Sequence, residues 1–130
     1  MEPPVIRKRL LLVDDDPAFR SSLQEYLECH GHTVETAENG REALTKLEQT
    51  GYDVVLTDYC MPYVSGLAVL QHIQQHHPLL PVVMMTGERR SRVALESFVA
   101  LGAQACLFKP FDPQQLEEIL NRTFATPMPS

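Results

Sequence analysis

Short, nearly all-apolar runs of strand length alternate along this chain with longer segments of helical period, and that alternation restricts the fold more than any other feature. Leu10-Leu11-Leu12-Val13, Val54-Val55-Leu56 and Val82-Val83-Met84-Met85 carry no polar residue between apolar ones. A strand with one wet face alternates apolar and polar side chains, so unbroken runs belong to strands covered on both faces. Two further runs, His32 to Ala37 and Ala105 to Phe108, bring the set to five. Strands separated by helices run parallel, because a crossover of a dozen or more residues is what joins parallel neighbours.

The intervening segments carry their own start and stop signals. Asp16 stands at an N-cap position with Pro17 at the first helical residue; Phe19, Leu23, Tyr26 and Leu27 follow at i, i+4, i+7 and i+8, and Gly31 ends the helix. Asn39-Gly40 opens a second helix with Ala43, Leu44 and Leu47 on one face, closed by Gly51. Met61 to Gly66 reads as a loop, and a third helix carrying Leu67, Leu70 and Ile73 runs towards His76, ahead of Pro78 and Pro81. Arg92 to Leu101 predicts a fourth helix ended by Gly102, and Asp112 caps a fifth from Pro113 to about Phe124. Five strands alternating with five helices, joined by right-handed crossovers, predict an α/β fold: a flavodoxin-like five-stranded parallel sheet in the order 2-1-3-4-5 with helices on both faces.

A chain of 130 residues suffices for one domain with one core. Residues 8–124 read as that domain, residues 1–7 as an N-terminal arm, and residues 125–130, with Pro127 and Pro129, as a tail or linker. Eleven Lys and Arg against seventeen Asp and Glu give a net charge of −6, which argues against direct nucleic-acid binding. The basic cluster Arg7-Lys8-Arg9 reads as a solvated strand start. Cys29, Cys60 and Cys106 are odd in number and match no zinc spacing, so they read as free thiols in a reducing compartment. No apolar signal region opens the chain, and no apolar run approaches the roughly 18 residues of a membrane span. The expectation is a cytoplasmic protein without membrane contact.

In a sheet of order 2-1-3-4-5 the ligand site lies beyond the carboxyl ends of the strands, between strands 1 and 3. Strand 1 runs into Asp14, Asp15 and Asp16; strand 3 runs through Thr57 into Asp58; strand 4 ends at Thr86-Gly87; strand 5 ends at Lys109-Pro110. Singly, each has a bland reading: Asp16 is a helix cap, Asp58 a turn residue, Thr86 a strand-end hydroxyl, Lys109 a surface charge. Together they bring carboxylates, a hydroxyl and an ammonium to one edge of the sheet. Clustered carboxylates repel unless a cation sits among them, and a hard ion such as Mg²⁺ takes oxygen ligands from one or two of them. Such a metal beside an ammonium is equipment for handling a phosphoryl group. No histidine stands at a strand end and no Gly-rich phosphate loop is present, which argues against zinc chemistry and against a nucleotide.

These residues closely resemble the receiver domain of two-component response regulators, over nearly the whole chain from about Lys8 to Phe124. The resemblance rests on Leu-Val-Asp-Asp-Asp-Pro at 12–17, on Asp58 followed by Met61-Pro62 and Gly66, on Met-Thr-Gly at 85–87 and on Lys-Pro-Phe at 109–111. It implies a signalling phosphoacceptor rather than an enzyme acting on other substrates. Asp58 would attack the phosphoryl group of a phosphohistidine on a sensor histidine kinase or a histidine phosphotransfer protein and form an acyl phosphate. Asp15 would ligate Mg²⁺ directly, Asp14 through water, with Asp58 and the backbone carbonyl of Cys60 completing the set. Lys109 would pair with a phosphoryl oxygen, Thr86 would hydrogen-bond the phosphoryl group, and the Lys109-Pro110 bond would be cis. A homodimer or partner would use the face of the fourth helix, fifth strand and fifth helix.

Two positions depart from the family pattern. Cys106 stands three residues before Lys109, where the family usually has a Tyr or Phe that switches rotamer, and Cys60 stands two residues after Asp58. A cysteine cannot fill a ring-sized space. Activation is therefore expected to travel through the loop from Thr86 to Arg90 and the start of the fourth helix, with the ring-sized space filled by a neighbour or left as a groove. Two other readings compete. A haloacid-dehalogenase-like phosphatase would use Asp14 and Asp16 as its Asp-x-Asp, but Ala18 stands where that pattern needs Thr or Val. A pure interaction module with this fold would take no phosphate. No effector domain follows Phe124, which fits either a stand-alone receiver or the receiver piece of a longer protein.

Overall fold

The computed structural model describes residues 7–59, 61, 64–87 and 98–124. Its elements are β1 (Arg9–Val13), α1 (Pro17–Cys29), β2 (Thr33–Ala37), α2 (Gly40–Gln49), β3 (Val54–Asp58), α3 (Gly66–His76), β4 (Val82–Thr86), β5 (Ala105–Phe108) and α4 (Pro113–Thr123). The strands form one sheet in the order β2-β1-β3-β4-β5, with every neighbouring pair parallel, as the apolar runs predicted. Of the helix predicted at Arg92 to Leu101, residues 98–100 are helical and residues 92–97 lie outside the described residues. The N-terminal arm up to residue 6, the tail from residue 125 and the loop residues 88–90 also lie outside them.

Successive residues of a strand point to opposite faces, and here both faces are covered. Leu10, Leu12, Leu56, Val83 and Met85 pack with Leu23 and Leu27 of α1 and with Leu116, Ile119 and Leu120 of α4. Leu11, Val13, Val55 and Met84 pack on the other side with Ala43 and Leu47 of α2 and with Val69, Leu70 and Ile73 of α3. Each large aliphatic side chain buried this way contributes about 1.5–3 kcal/mol. That double cover explains the unbroken apolar runs of β1, β3 and β4.

The helix starts follow their sequence signals. Asp16 accepts from the backbone N–H groups of Ala18 and Phe19, Asn39 from Glu42, Ser65 from Ala68, and Asp112 from Gln114. Gly31 and Gly102 hold φ of 93° and 106°, the left-handed conformation that lets the chain leave a helix and turn back into the sheet. β3 runs two residues past the predicted Leu56, so Asp58 is the last residue of the strand rather than the first of a loop.

The edge strand β2 is less apolar, and its Glu35 is engaged in a polar cluster. Tyr52 donates its hydroxyl to Glu35 Oε2 at 2.6 Å, and the Arg9 guanidinium lies 2.5 Å from Glu35 Oε1. The Tyr52 and Arg9 hydrogen bonds hold the Glu35 carboxyl below the usual carboxylate range, against the opposing effect of burial. Burial, then the bond to Glu35, pushes the Tyr52 hydroxyl well up. Lys8 lies over the Phe124 ring at 4.4 Å and Arg9 is paired with Glu35, so two residues of the basic strand start are engaged by neighbours rather than simply solvated.

Candidate functional site

Asp14 follows β1 directly and is fully buried, with 0% exposure. Its position is set by backbone and side chain together. The Asp14 N–H donates to Ala37 O at the end of β2 (3.1 Å), Oδ1 accepts from the Asp16 N–H (2.9 Å), and the Asp14 carbonyl accepts from the Arg20 guanidinium (2.7 Å). Asp15 stays exposed beside it, and Asp16 is spent on capping α1. A single run of acids thus divides into a buried anchor, an accessible carboxylate and a cap.

Asp58 ends β3 opposite Met85 of β4 and is 7% exposed. The chain beyond it is pinned by Tyr59, whose N–H donates to Met85 O (2.8 Å) and whose carbonyl accepts from the Gly66 N–H (2.9 Å). Gly66 is required by this approach: a Cβ there would overlap the Asp58 carbonyl oxygen and lie 2.8 Å from Tyr59 Cα. Thr86, buried at the end of β4, accepts through its carbonyl from the Lys109 N–H (2.7 Å), which seats Lys109 at the end of β5 beside it. The Lys109-Pro110 bond is cis. Lys109 then reaches across the sheet edge, with Nζ 2.5 Å from Asp14 Oδ2 and 3.6 Å from Asp58 Oδ2.

Asp14, Asp15 and Asp58 each offer a carboxylate oxygen, and these oxygens lie within 4.8 Å of one another. An all-oxygen, anionic donor set of this kind fits a hard divalent cation and not a soft one. The carbonyl of Cys60, expected as a further ligand, lies outside the described residues. Asp16 gives its carboxylate to capping α1, a use that does not match the second Asp of the phosphatase alternative's Asp-x-Asp.

Residues 10–121 match the family described as the response regulator receiver domain. The chain belongs to that family. Relatives agree over most of its length. The DNA-binding transcriptional regulator NtrC of Salmonella typhimurium is 39% identical over 114 residues, which cover 88% of this chain and 24% of the relative. The chain therefore spans about a quarter of that regulator. Among solved structures, the chemotaxis response regulator CheY4 of Vibrio cholerae superposes with a TM-score of 0.83 at 32% identity, covering 92% of this chain and all of that one. The response regulator protein TrrA of Thermotoga maritima, solved in complex with Mg²⁺-BeF, superposes with a TM-score of 0.80 at 35% identity over 90% and 99% of the two chains. Receiver domains are signalling domains, and acceptance of a phosphoryl group is their function. Among the described residues no helix is long and apolar enough to cross a membrane.

Within this receiver, Cys106 is half-buried and its thiol is pushed up to about 11 by that burial. It lines a groove of about 480 Å³ with Leu107, Phe108, Pro110 and Gln115. On its inner side it packs against the core cluster that holds Phe98, whose ring meets that of Tyr59 at 4.8 Å between centroids. A groove therefore lies beside position 106.

Two side chains at the site were not singled out by sequence reasoning. Arg20 holds the Asp14 carbonyl, and Phe19, read as one residue of an apolar helical face, lies under Lys109 with its ring centroid 4.2 Å from Nζ. Spacing within α1 places both residues on its first turns, but it gives no indication of a partner arriving from the end of β5.

Proposed function

We propose that Asp58 is the phosphoacceptor of this receiver and that Asp14, Asp15, Thr86 and Lys109 serve its reaction. The observation that carries this reading is the convergence on the Asp58 carboxylate, at the end of β3, of the Lys109 ammonium 3.6 Å away and two further carboxylates. An Asp58 oxygen attacks phosphorus in line with the leaving histidine nitrogen of a histidine kinase or histidine phosphotransfer protein. The P–N bond breaks, the nitrogen keeps the electron pair, and an acyl phosphate remains on Asp58. Lys109 exchanges its contact with Asp14 for one with a phosphoryl oxygen, and the Thr86 hydroxyl bonds a second.

Mg²⁺, held by Asp14, Asp15 and Asp58 with the Cys60 carbonyl, would neutralise charge on the phosphoryl oxygens. The receiver unit is taken as residues 8–124, and its chemistry is confined to its own phosphorylation and dephosphorylation. Its output passes to a partner or to an effector domain, a reading supported by the NtrC relative, a DNA-binding transcriptional regulator of which this chain spans about a quarter. A homodimer would form through the face of the segment around residues 98–101, β5 and α4. The charge of −6 supports a receiver that makes no direct contact with nucleic acid, and the cytoplasm is its proposed location.

Acetyl phosphate with Mg²⁺ tests the central claim. The intact protein is expected to gain one phosphoryl mass, mapped to Asp58, and Asp58→Asn is expected to gain none. Equal labelling of the variant would remove Asp58 from this role.

A further inference from the structure

We infer that Phe19 is a positioning residue for the phosphoryl-transfer reaction: its ring holds the Lys109 ammonium at the mouth of the site while leaving it able to turn. The inference rests on the reading of Asp58 and Lys109 given above, and it extends that reading to a side chain outside the set of charged residues.

Among the described residues, two carboxylates and one aromatic ring lie close to Lys109 Nζ. Asp14 Oδ2 lies at 2.5 Å, Asp58 Oδ2 at 3.6 Å, and the Phe19 centroid at 4.2 Å. The ring is itself braced, since it packs edge-on with Phe111 at 5.8 Å and 80° and sits partly buried against the core cluster of α1 and α4. Phe111 is two residues beyond Lys109, so the strand end that delivers the ammonium also fixes the ring that receives it.

The three contacts restrain the ammonium differently. A hydrogen bond to a carboxylate is short and directional, and it occupies one N–H. The attraction of a cation to a ring face extends to about 6 Å from the centroid and commits no N–H to a fixed direction. When a phosphoryl group arrives on Asp58, Lys109 must turn an N–H from Asp14 to a phosphoryl oxygen. A carboxylate in place of the ring would compete for that N–H, and an aliphatic side chain would fill the space without attracting the charge. The aromatic ring keeps the cation within reach through the exchange and occupies one side that water would otherwise solvate.

The test is the rate of labelling at Asp58 by acetyl phosphate with saturating Mg²⁺, in proteins carrying mono-, di- or trifluorophenylalanine at position 19. Fluorination keeps the shape of the ring and drains the charge from its face. The rate is expected to fall stepwise with fluorine number while the thermal midpoint stays unchanged. Phe19→Leu is expected to label about two- to tenfold more slowly, and Phe19→Tyr within about twofold of the parent. The Lys109 side-chain proton resonances, displaced upfield by the ring, are expected to return towards ordinary values in Phe19→Leu. A flat fluorine series at Asp58 overturns the inference and leaves the phosphoacceptor reading intact. Absence of labelling at Asp58 in the parent protein overturns both.

Discussion

Lys109 Nζ lies 2.5 Å from Asp14 Oδ2, joining residues 95 apart in sequence past the ends of the two intervening strands, β3 and β4. Asp14 is fully buried and Lys109 keeps a fifth of its side chain in solvent. The cation therefore does two things: it neutralises a carboxylate that cannot reach water, and it waits within 3.6 Å of Asp58. The ammonium is held mainly by Asp14, and under the proposed reaction a phosphoryl group on Asp58 would draw it away.

Removing one partner of a buried pair leaves an uncompensated charge, at a typical cost of about 3–5 kcal/mol. Lys109→Met is expected to lose stability on that scale, and the double variant Lys109→Met with Asp14→Asn to recover most of it. Urea unfolding of the four proteins of this cycle measures the coupling. Additive losses would show that the pair does not hold the sheet edge together.

The three consecutive acids are expected to separate by role in Mg²⁺ titrations. Asp15 is exposed beside the site, whereas Asp16 gives its carboxylate to the Ala18 and Phe19 N–H groups. Asp15→Asn is expected to weaken Mg²⁺ binding about tenfold or more. Asp16→Asn keeps a good cap and should alter both affinity and stability little. Calorimetry decides between them, and equal losses would mean that the acids have been misassigned. Bound ion should also raise the unfolding midpoint of the parent protein, because it binds the folded state.

Much of this site was legible because it is built at strand ends. Val54-Val55-Leu56 and Val82-Val83-Met84-Met85 announce strands covered on both faces, and the polar residue that follows such a run stands at the sheet edge whatever the loops do. Asp16-Pro17 and Asp112-Pro113 marked two helix starts to the residue, because capping is a local interaction. Distant pairings were not legible. Nothing near Phe19 in sequence indicates that Lys109 will lie over its ring, and nothing near Arg20 indicates that it will hold the Asp14 carbonyl. Nor could the apolar pattern of β2 alone show that its Glu35 is bound to Tyr52 and Arg9, since those contacts form after three strands have assembled.

That edge cluster gives a pH dependence with a definite sign. The Glu35 carboxyl is held down by Tyr52 and Arg9, so the folded state binds its proton less tightly than the unfolded chain. Its contribution is present above the ordinary carboxylate range and is lost as pH falls through the lower folded-state value. Glu35→Gln is expected to be less stable than the parent near neutrality, with the difference closing below about pH 4. Tyr52 acts in the opposite direction, because its hydroxyl is pushed up and its contribution is lost on the alkaline side. Unfolding midpoints across pH for Glu35→Gln and Tyr52→Phe check both limbs. A gap that stays constant with pH would mean that the cluster packs without electrostatic coupling.

Cys106 sets the last expectation, which concerns how phosphorylation is read out. A thiol cannot sweep the surface of a ring, so β5 lacks the aromatic arm that the family usually places there. A contact close to Asp58 among the described residues that could take its place is Tyr59 with Phe98, whose rings lie 4.8 Å apart at 55°. Tyr59 follows Asp58 directly, and Phe98 belongs to the segment that leads from the end of β4 into β5, so the pair links the Asp58 end of β3 to that segment. Stacked and tilted ring pairs have a geometry preference worth about 0.5–1.5 kcal/mol beyond their burial, enough to bias two arrangements of similar energy. Addition of beryllofluoride with Mg²⁺ is therefore expected to shift the ring resonances of Tyr59 and Phe98 while the Leu107 methyl groups on the opposite face of β5 stay near their resting values. Cys106→Tyr places a ring beside the groove lined by Phe108, Pro110 and Gln115, and it is expected to change the population that adopts the activated spectrum. If Leu107 and Phe108 rearrange while the Tyr59–Phe98 pair holds still, the signal leaves through β5 despite the missing ring. If Cys106→Tyr leaves both spectra unchanged, position 106 takes no part in switching.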